Sequence, residues 1–264
     1  MKYSKEDKEY LISNYSNLSI APDVFINKLR RPWLTIQGYC QGTLKLKRRP
    51  LYKIDSNYFD NVDCWEKAYF VGFLWSDGSN FRPKNRIVLN LKEEDKYILE
   101  SLKNLIGYKG ELNYSKPRMA KGYVNPRKGQ YVLRFVDKHM SELLESRGMT
   151  QSKTLDIKFP DFIPYKFISG FILGVFDGDG TVVDDKTNRF SICGSFDMMS
   201  KIQQILIKEC SLNETKLQKV GNSYLLNYGG KFVASRIREY LYKDHSLCLV
   251  RKKQRFDNIY EKTK

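Results

Sequence analysis

Residues 175 to 185 read VFDGDGTVVDD: four carboxylates, two glycines and a threonine at the end of an apolar run. Carboxylates at this spacing suit two chemistries that rest on different atoms. If the apolar run is a strand that exits into DxDGT, the chemistry rests on Asp177, a carboxylate that could serve as a nucleophile. If ILGVFDGDG is instead the end of a helix, its small residues share one face, and Asp179 stands at the terminus as a ligand for a hard divalent cation that makes water nucleophilic. A calcium loop of the EF-hand type is excluded. Counting from Asp177, the third ligand position is Thr181, the obligatory glycine is Val182 and the twelfth position is Asn188.

The elements that must position these carboxylates are legible in a repeat. AYFVGFLWSDGS at 68–79 matches GFILGVFDGDGT at 170–181 with a constant offset of 102. Ala68, Gly72 and Ser76 align with Gly170, Gly174 and Gly178, and Asp77-Gly78 aligns with Asp179-Gly180. Glycine inside a helix costs about 0.5 to 1 kcal/mol relative to alanine, so such a stripe needs a packing reason. The second copy supplies it: two helices can approach backbone to backbone through these faces, each ending in an Asp beside the other's. Tyr69, Phe70, Phe73 and Leu74, and Phe171, Ile172, Val175 and Phe176, then anchor the two half-domain cores. After Asp77 the pattern predicts a turn, a strand over 86–91, a helix near 94–106, a hairpin-like region over 109–136 and a helix near 138–147. After Asp179 it predicts a strand with Phe190 and Ile192, a helix near 197–209, strands near 216–219 and 223–228, and a helix near 231–242. Both halves read αββαββα.

Composition bounds the partner. The chain has 264 residues, a formal charge of +16, 41% hydrophobic residues and 14% aromatics, which describes a folded protein suited to a polyanion. Five cysteines with no CxxC pair read as thiols in a reducing compartment, and two histidines are too few for a His-rich metal site. The charged opening MKYSKEDKEY reads as no signal peptide, and the longest apolar stretch, 167–176, is far short of a membrane span. The compartment expected is the cytoplasm of a bacterial or phage-infected cell, or an organelle in a eukaryote.

With two such motifs at this spacing, the region from about Cys64 to the C-terminus resembles a single-chain, two-motif LAGLIDADG homing endonuclease. The resemblance implies an α+β fold: two pseudo-symmetric half-domains, 64–158 and 159–264, packed through their motif helices, with saddle-shaped antiparallel sheets. It implies a metal-dependent endonuclease that cuts both strands of a long DNA site, leaves short 3′ overhangs and serves intron or mobile-element homing. Mg²⁺ or Mn²⁺ is implied as cofactor, with Ca²⁺ supporting binding without cleavage. The ligands implied are Asp77 and Asp179 with the carbonyls of Ser76 and Gly178. Lys153 in QSKTL and Lys252 in VRKKQ resemble the lysines that complete such sites, with Arg251 and Lys253 as competitors for the second. Trp75 departs from the family pattern by standing where the first Asp of the motif belongs. A haloacid-dehalogenase-type phosphatase, which DxDGT resembles, leaves the helical small-residue period and the second copy unexplained.

In this reading the sheets lie in the major groove, where base edges are distinguishable, and alternation assigns the faces. Arg86, Asn90, Gln130 and Arg134 point outward from the first sheet, and Arg189, Ser191, Ser223 and Asn227 from the second. Arg82, Lys84, Arg118, Lys121 and Arg127 are expected to grip phosphates. Residues 1–50 form a separate basic module joined through a linker, 51–63. Ser4 with Asp7 approximates a capping box, and helices are predicted after it, over 21–29 and from 32–33 toward Gly42. Their order resembles the small Myb-like helix-turn-helix domains that precede some phage and bacterial homing endonucleases. Trp33 and Ile36 are expected to pack inward, Thr35, Gln37, Tyr39 and Gln41 to face a groove, and Arg48 to follow them onto DNA. The partner expected is double-stranded DNA, with no membrane, no obligate protein partner and a monomeric chain. The alternative of a different class is a non-cleaving nucleic-acid-binding protein on the same scaffold, a transcription regulator or an intron maturase.

Overall fold

The computed structural model describes residues 3–17, 20–47, 54–117, 128–150, 157–243 and 247–264. The chain separates into two units, 1–53 and 54–264. The first contains helices α1 (Lys5–Asn14), α2 (Pro22–Leu29) and α3 (Trp33–Gly42). A full capping box opens α1: Ser4 Oγ accepts from the Asp7 amide at 3.0 Å, and the Asp7 carboxylate accepts from the Ser4 amide at 3.1 Å. Pro22 sits in the first turn of α2, where its missing N–H costs nothing. Arg30 ends that helix with φ of 50°, and three residues later α3 has begun. Leu11, Tyr15, Phe25, Ile36 and Cys40 are fully buried together, and Trp33 stacks on Tyr15.

The second unit runs α4 (Trp65–Ser76), β1 (Gly78–Phe81), β2 (Arg86–Lys92), α5 (Lys96–Leu105), β3 (Asn113–Ser115), β4 (Gln130–Val136) and α6 (Lys138–Ser146). It then repeats the order as α7 (Ile168–Asp179), β5 (Gly180–Val183), β6 (Arg189–Gly194), α8 (Phe196–Cys210), β7 (Gln218–Val220), β8 (Ser223–Tyr228) and α9 (Lys231–Tyr242), and adds α10 (Val250–Glu261). Each half has one antiparallel four-stranded sheet, ordered β1-β2-β4-β3 and β5-β6-β8-β7. This α+β duplication follows the sequence pattern, with two corrections. The turn expected after Asp77 is the strand β1, which begins at the next residue and pairs Gly78 with Leu89, as Gly180 in β5 pairs with Ile192. The expected linker is, from residue 54 onward, part of the first half-domain; residues 51–53 lie outside the described residues. Phe59 is fully buried, the Asp55 amide donates to the Ile106 carbonyl at 2.8 Å, and the Arg147 guanidinium donates to the carbonyls of Phe59 and Asp60.

Each sheet buries one face under its own helices. Ile98, Leu99 and Leu102 on α5, and Met198, Met199, Ile202 and Leu206 on α8, recur at helical spacing and are buried. Each such side chain contributes roughly 1.5 to 3 kcal/mol of burial free energy. The other face of each sheet is left to solvent beside the ends of α4 and α7.

Candidate active site and sheet surface

Helices α4 and α7 form the seam between the halves, and their glycines are required by contact. A Cβ on Gly72 would run into the carbonyl oxygen of Phe171, and one on Gly174 into that of Tyr69. A Cβ on Gly170 would lie 2.7 Å from the Trp65 carbonyl oxygen, and Ala68 is fully buried. At the ends of the helices, a Cβ on Gly178 would strike the Ser76 side chain and come within 3.4 Å of Asp77 Oδ2. The Asp77 carboxylate therefore lies over the last turn of α7. Ser76 Oγ donates back to its own helix, to the Gly72 and Phe73 carbonyls at 3.1 Å.

The two motif ends are equivalent in exposure as well as in sequence. Ser76 and Gly178 are half-buried, Asp77 and Asp179 exposed, and Gly78 and Gly180 buried. Each carboxylate faces a cavity that the opposite helix helps to line. Asp77 shares one of about 330 Å³ with Gly178, Asp177, Asn90, Gln130 and Lys252. Asp179 shares one of about 170 Å³ with Ser76, Trp75, Cys193 and Ser223.

The donor set fits a hard cation. No group of three or more His, Cys, Asp or Glu residues clusters among the described residues, which disfavours a closed zinc-type cage. One exposed carboxylate per centre, beside the main chain of the other helix, suits Mg²⁺ or Mn²⁺, which keep several waters and take further oxygens from a phosphate.

The first acidic position of the motif has a different role in each half. Asp177 is 1% exposed; its Oδ2 accepts from the Tyr69 hydroxyl across the seam at 2.9 Å and from the Leu249 amide at 2.8 Å. Tyr69 thus reaches into the other half instead of anchoring only its own. Burial pushes the Asp177 carboxyl up to about 6, against the opposing pull of Lys252 and of these two hydrogen bonds. Its counterpart Trp75 is buried and packs against Phe162, with ring centroids 5.9 Å apart.

Lys252 stands beside the site, as the repeat predicts, but not as a free ammonium. It is 6% exposed, and Nζ donates to the carbonyls of Phe176 at 2.6 Å, Asp177 at 2.8 Å and Gly180 at 2.6 Å. All three N–H groups of the ammonium therefore cap the end of α7. Burial lowers its pKa to about 8, with Arg251 acting in the same direction and the carboxylates of Asp177, Asp77 and Asp179 against it. The competitors are paired elsewhere, Arg251 with Asp95 and Lys253 with Asp257. Lys153 lies outside the described residues, as do Arg48, Arg118, Lys121 and Arg127.

On the sheets, burial follows the alternation except in β4, where Val132 is buried on the outer face and Tyr131 is only half-buried. Ile87, Leu89 and Leu91 are buried while Asn90 is exposed, and Leu133 and Phe135 are buried while Gln130 and Arg134 are exposed. The register places Arg134 opposite Val88 and Gln130 opposite Lys92. In the second sheet Ser191 pairs with Asn227 and with Thr181, Arg189 is exposed, and Ser223 lines the Asp179 cavity. Arg86 is half-buried, with its guanidinium over the Phe81 ring. The exposed Ser79 and Thr181, one residue past each motif glycine, share this surface; GSNF and GTVV were too short to declare their alternation. Lys84 is exposed, but Arg82 is committed to its own fold. It is paired with Glu145 at 2.7 Å and Glu142 at 3.3 Å and bonded to Asn85 and Ser141, so its guanidinium is already engaged, unlike the side chain expected to grip a phosphate. In the first unit Thr35 and Gln41 are exposed on α3, Gln37 and Tyr39 are half-buried, and Ile36 is buried.

No protein-family model and no curated protein matches the sequence. Solved structures do. The homing endonuclease I-WcaI bound to its DNA recognition sequence is matched at 13% identity and a TM-score of 0.55, over 80% of this chain and 96% of that one. The N-terminal LAGLIDADG domain of DUF199/WhiA is matched at 14% identity and 0.46, over 77% and 93%. Full-length DUF199/WhiA from Thermatoga maritima is matched at 15% identity and 0.48, over 80% and 65%. At these identities the likeness concerns the fold: the second unit is a LAGLIDADG fold of two half-domains.

Proposed function

We propose that this chain is a site-specific, divalent-metal-dependent endonuclease that cuts both strands of a long double-stranded DNA site and leaves short 3′ overhangs, as in homing. One observation carries the reading. Asp77 and Asp179 end two helices packed through glycine, each facing a cavity that the opposite helix completes. The fold shared with an endonuclease bound to its DNA recognition sequence supports it, and so does the charge of +16.

Asp77 with the Gly178 carbonyl, and Asp179 with the Ser76 carbonyl, would hold Mg²⁺ or Mn²⁺. The bound cation supplies an acidified water and neutralises charge on the phosphate. Lys252 fixes the end of α7 so that Gly178 and Asp179 keep their orientation. Asn90, Gln130, Arg134, Arg189, Ser191, Ser223 and Asn227 face the DNA from the sheets, with Arg86 at the edge and Lys84 on phosphate. The three-helix unit adds a helix-turn-helix contact through Thr35 and Gln37 on α3. One chain carries both centres, so a monomer suffices.

The test is strand-resolved cleavage of sites selected from a randomised DNA library. Asp77→Asn and Asp179→Asn should each leave a different strand intact in Mg²⁺ while binding persists, and Ca²⁺ should support binding alone. Variants that still cut both strands would end the proposal, and wild-type protein that binds selectively without cutting would identify a binding protein on this scaffold.

A further inference from the structure

Residues 248–252 join the last helix of the second half to the first half. Tyr97, on α5, donates its hydroxyl to the Cys248 carbonyl at 2.9 Å and accepts from the Val250 amide at 2.7 Å. Asp95, just before α5 and with a side chain only 4% exposed, accepts from Arg251 Nη2 at 3.0 Å and Nε at 3.1 Å. The Leu249 amide is taken by Asp177 and the Lys252 ammonium by the end of α7. Five consecutive residues are therefore clasped by groups from both halves.

The clasp is one-sided with respect to the two carboxylates. Leu249, Arg251 and Lys252 wall the cavity of Asp77, and Asp95 lines it beside them, whereas Tyr97 does not. The cavity of Asp179 is lined, among the described residues, by none of residues 248–252. The bonds made by Tyr97 and Asp95 go to Cys248, Val250 and Arg251 and are separate from the three by which Lys252 caps α7.

We propose that Tyr97 and Asp95 are positioning residues for the Asp77 centre alone: by holding residues 248–252 as its wall they let the two DNA strands be cut under separate control. This rests on the endonuclease reading. The centre that loses its wall keeps its carboxylate but loses the orientation of the phosphate against it, while the other centre keeps both.

The experiment uses the full chain as wild type, Tyr97→Phe, and Tyr97→Phe combined with Asp95→Asn, the single variant being the milder in case the double one folds poorly. The first readout needs neither DNA nor metal. Cys248 is 1% exposed, and its modification by a thiol reagent, followed by peptide mass, should accelerate severalfold when the clasp is weakened. The second is strand-resolved cleavage of a supercoiled plasmid and of end-labelled duplex. The strand left intact by Asp77→Asn should be cut roughly tenfold more slowly, as expected for loss of one or two hydrogen bonds at a reacting centre. The other strand should stay within about twofold, so nicked circles accumulate. Equal slowing of both strands, slowing of the strand assigned to Asp179, or unchanged Cys248 modification overturns the proposal. Wild-type protein that cuts neither strand sinks the endonuclease reading first and this proposal with it, so the two failures are told apart by the wild-type lane.

Discussion

The hydroxyl of Tyr69 on α4 donates to the carboxylate of Asp177 on α7, 2.9 Å away across the seam between the halves. The carboxylate is buried and also faces Tyr97, Tyr242, Cys248, Arg251 and Lys252. With its pKa raised from 3.8 to about 6, the folded state binds this proton more tightly than the unfolded chain does. Stability from this group is therefore highest below pH 4 and falls as pH rises toward about 6, by roughly 3 kcal/mol in all. Denaturant titrations between pH 4 and 7 should show that slope in the wild type and lose it in Asp177→Asn; the same slope in both would refute the assignment.

Gly72→Ala and Gly174→Ala each place a methyl group against a main-chain carbonyl of the opposite helix. Neither backbone can yield without separating the seam, so each should cost about 2 to 3 kcal/mol, the upper range for overpacking. Gly38→Ala, which meets nothing within 4 Å, is the control. Thermal melts in which all three variants behave alike would contradict the seam.

Asn80 is fully buried in β1 and serves as the junction between β1 and α6. Its amide donates to the Ser141 carbonyl at 2.8 Å and the Met149 carbonyl at 3.3 Å, and its oxygen accepts from Ser141 Oγ at 2.6 Å. Asn80→Ala strands three buried partners and should destabilise by about 3 kcal/mol, because an unsatisfied buried polar group costs its full desolvation. A loss under 1 kcal/mol in denaturant unfolding would show that the network is dispensable.

Lys252→Met separates a cap from a solvent-facing catalytic ammonium. A free lysine could be replaced with little change in stability. Removing the donor to the Phe176, Asp177 and Gly180 carbonyls should instead cost about 3 kcal/mol and loosen α7. Hydrogen exchange at the amides of residues 178–181 reads this directly, and unchanged protection there would show that the cap is dispensable.

Arg134→Ala should relax base preference at one position of a selected site, at about 1 to 3 kcal/mol of discrimination. Lys84→Ala should weaken all sites alike and lessen the salt dependence of binding. Competition binding across single-base variants checks both, and a uniform effect of Arg134→Ala would move it from base reading to phosphate contact.

The seam was readable because a glycine period states a backbone contact directly: nothing except another helix explains Gly72, Gly170, Gly174 and Gly178. The sheet faces were readable because Ile87, Leu89 and Leu91 alternate with polar residues, and the three front helices because Ser4, Pro22 and Pro32 mark their starts. Charge counting could not tell which cations are already paired. Arg82 and Lys252 look like any of 46 basic residues until Glu142, Glu145 and three carbonyls are folded against them. The clasp was equally hidden, since Tyr97 and Val250 meet across 153 positions with no periodicity to announce it.

The glycine seam also divides the molecule into parts that can and cannot change alone. Among the described residues the two sheets share no strand, so a new side chain on the outer face of one leaves the ladder of the other in place, and the two surfaces can drift toward different sequences after duplication. The seam has no such freedom, because bulk on either helix is felt as main-chain collision by its twin. The two halves are thus bound to a common history along α4 and α7 and to separate ones everywhere the outer sheet faces meet solvent.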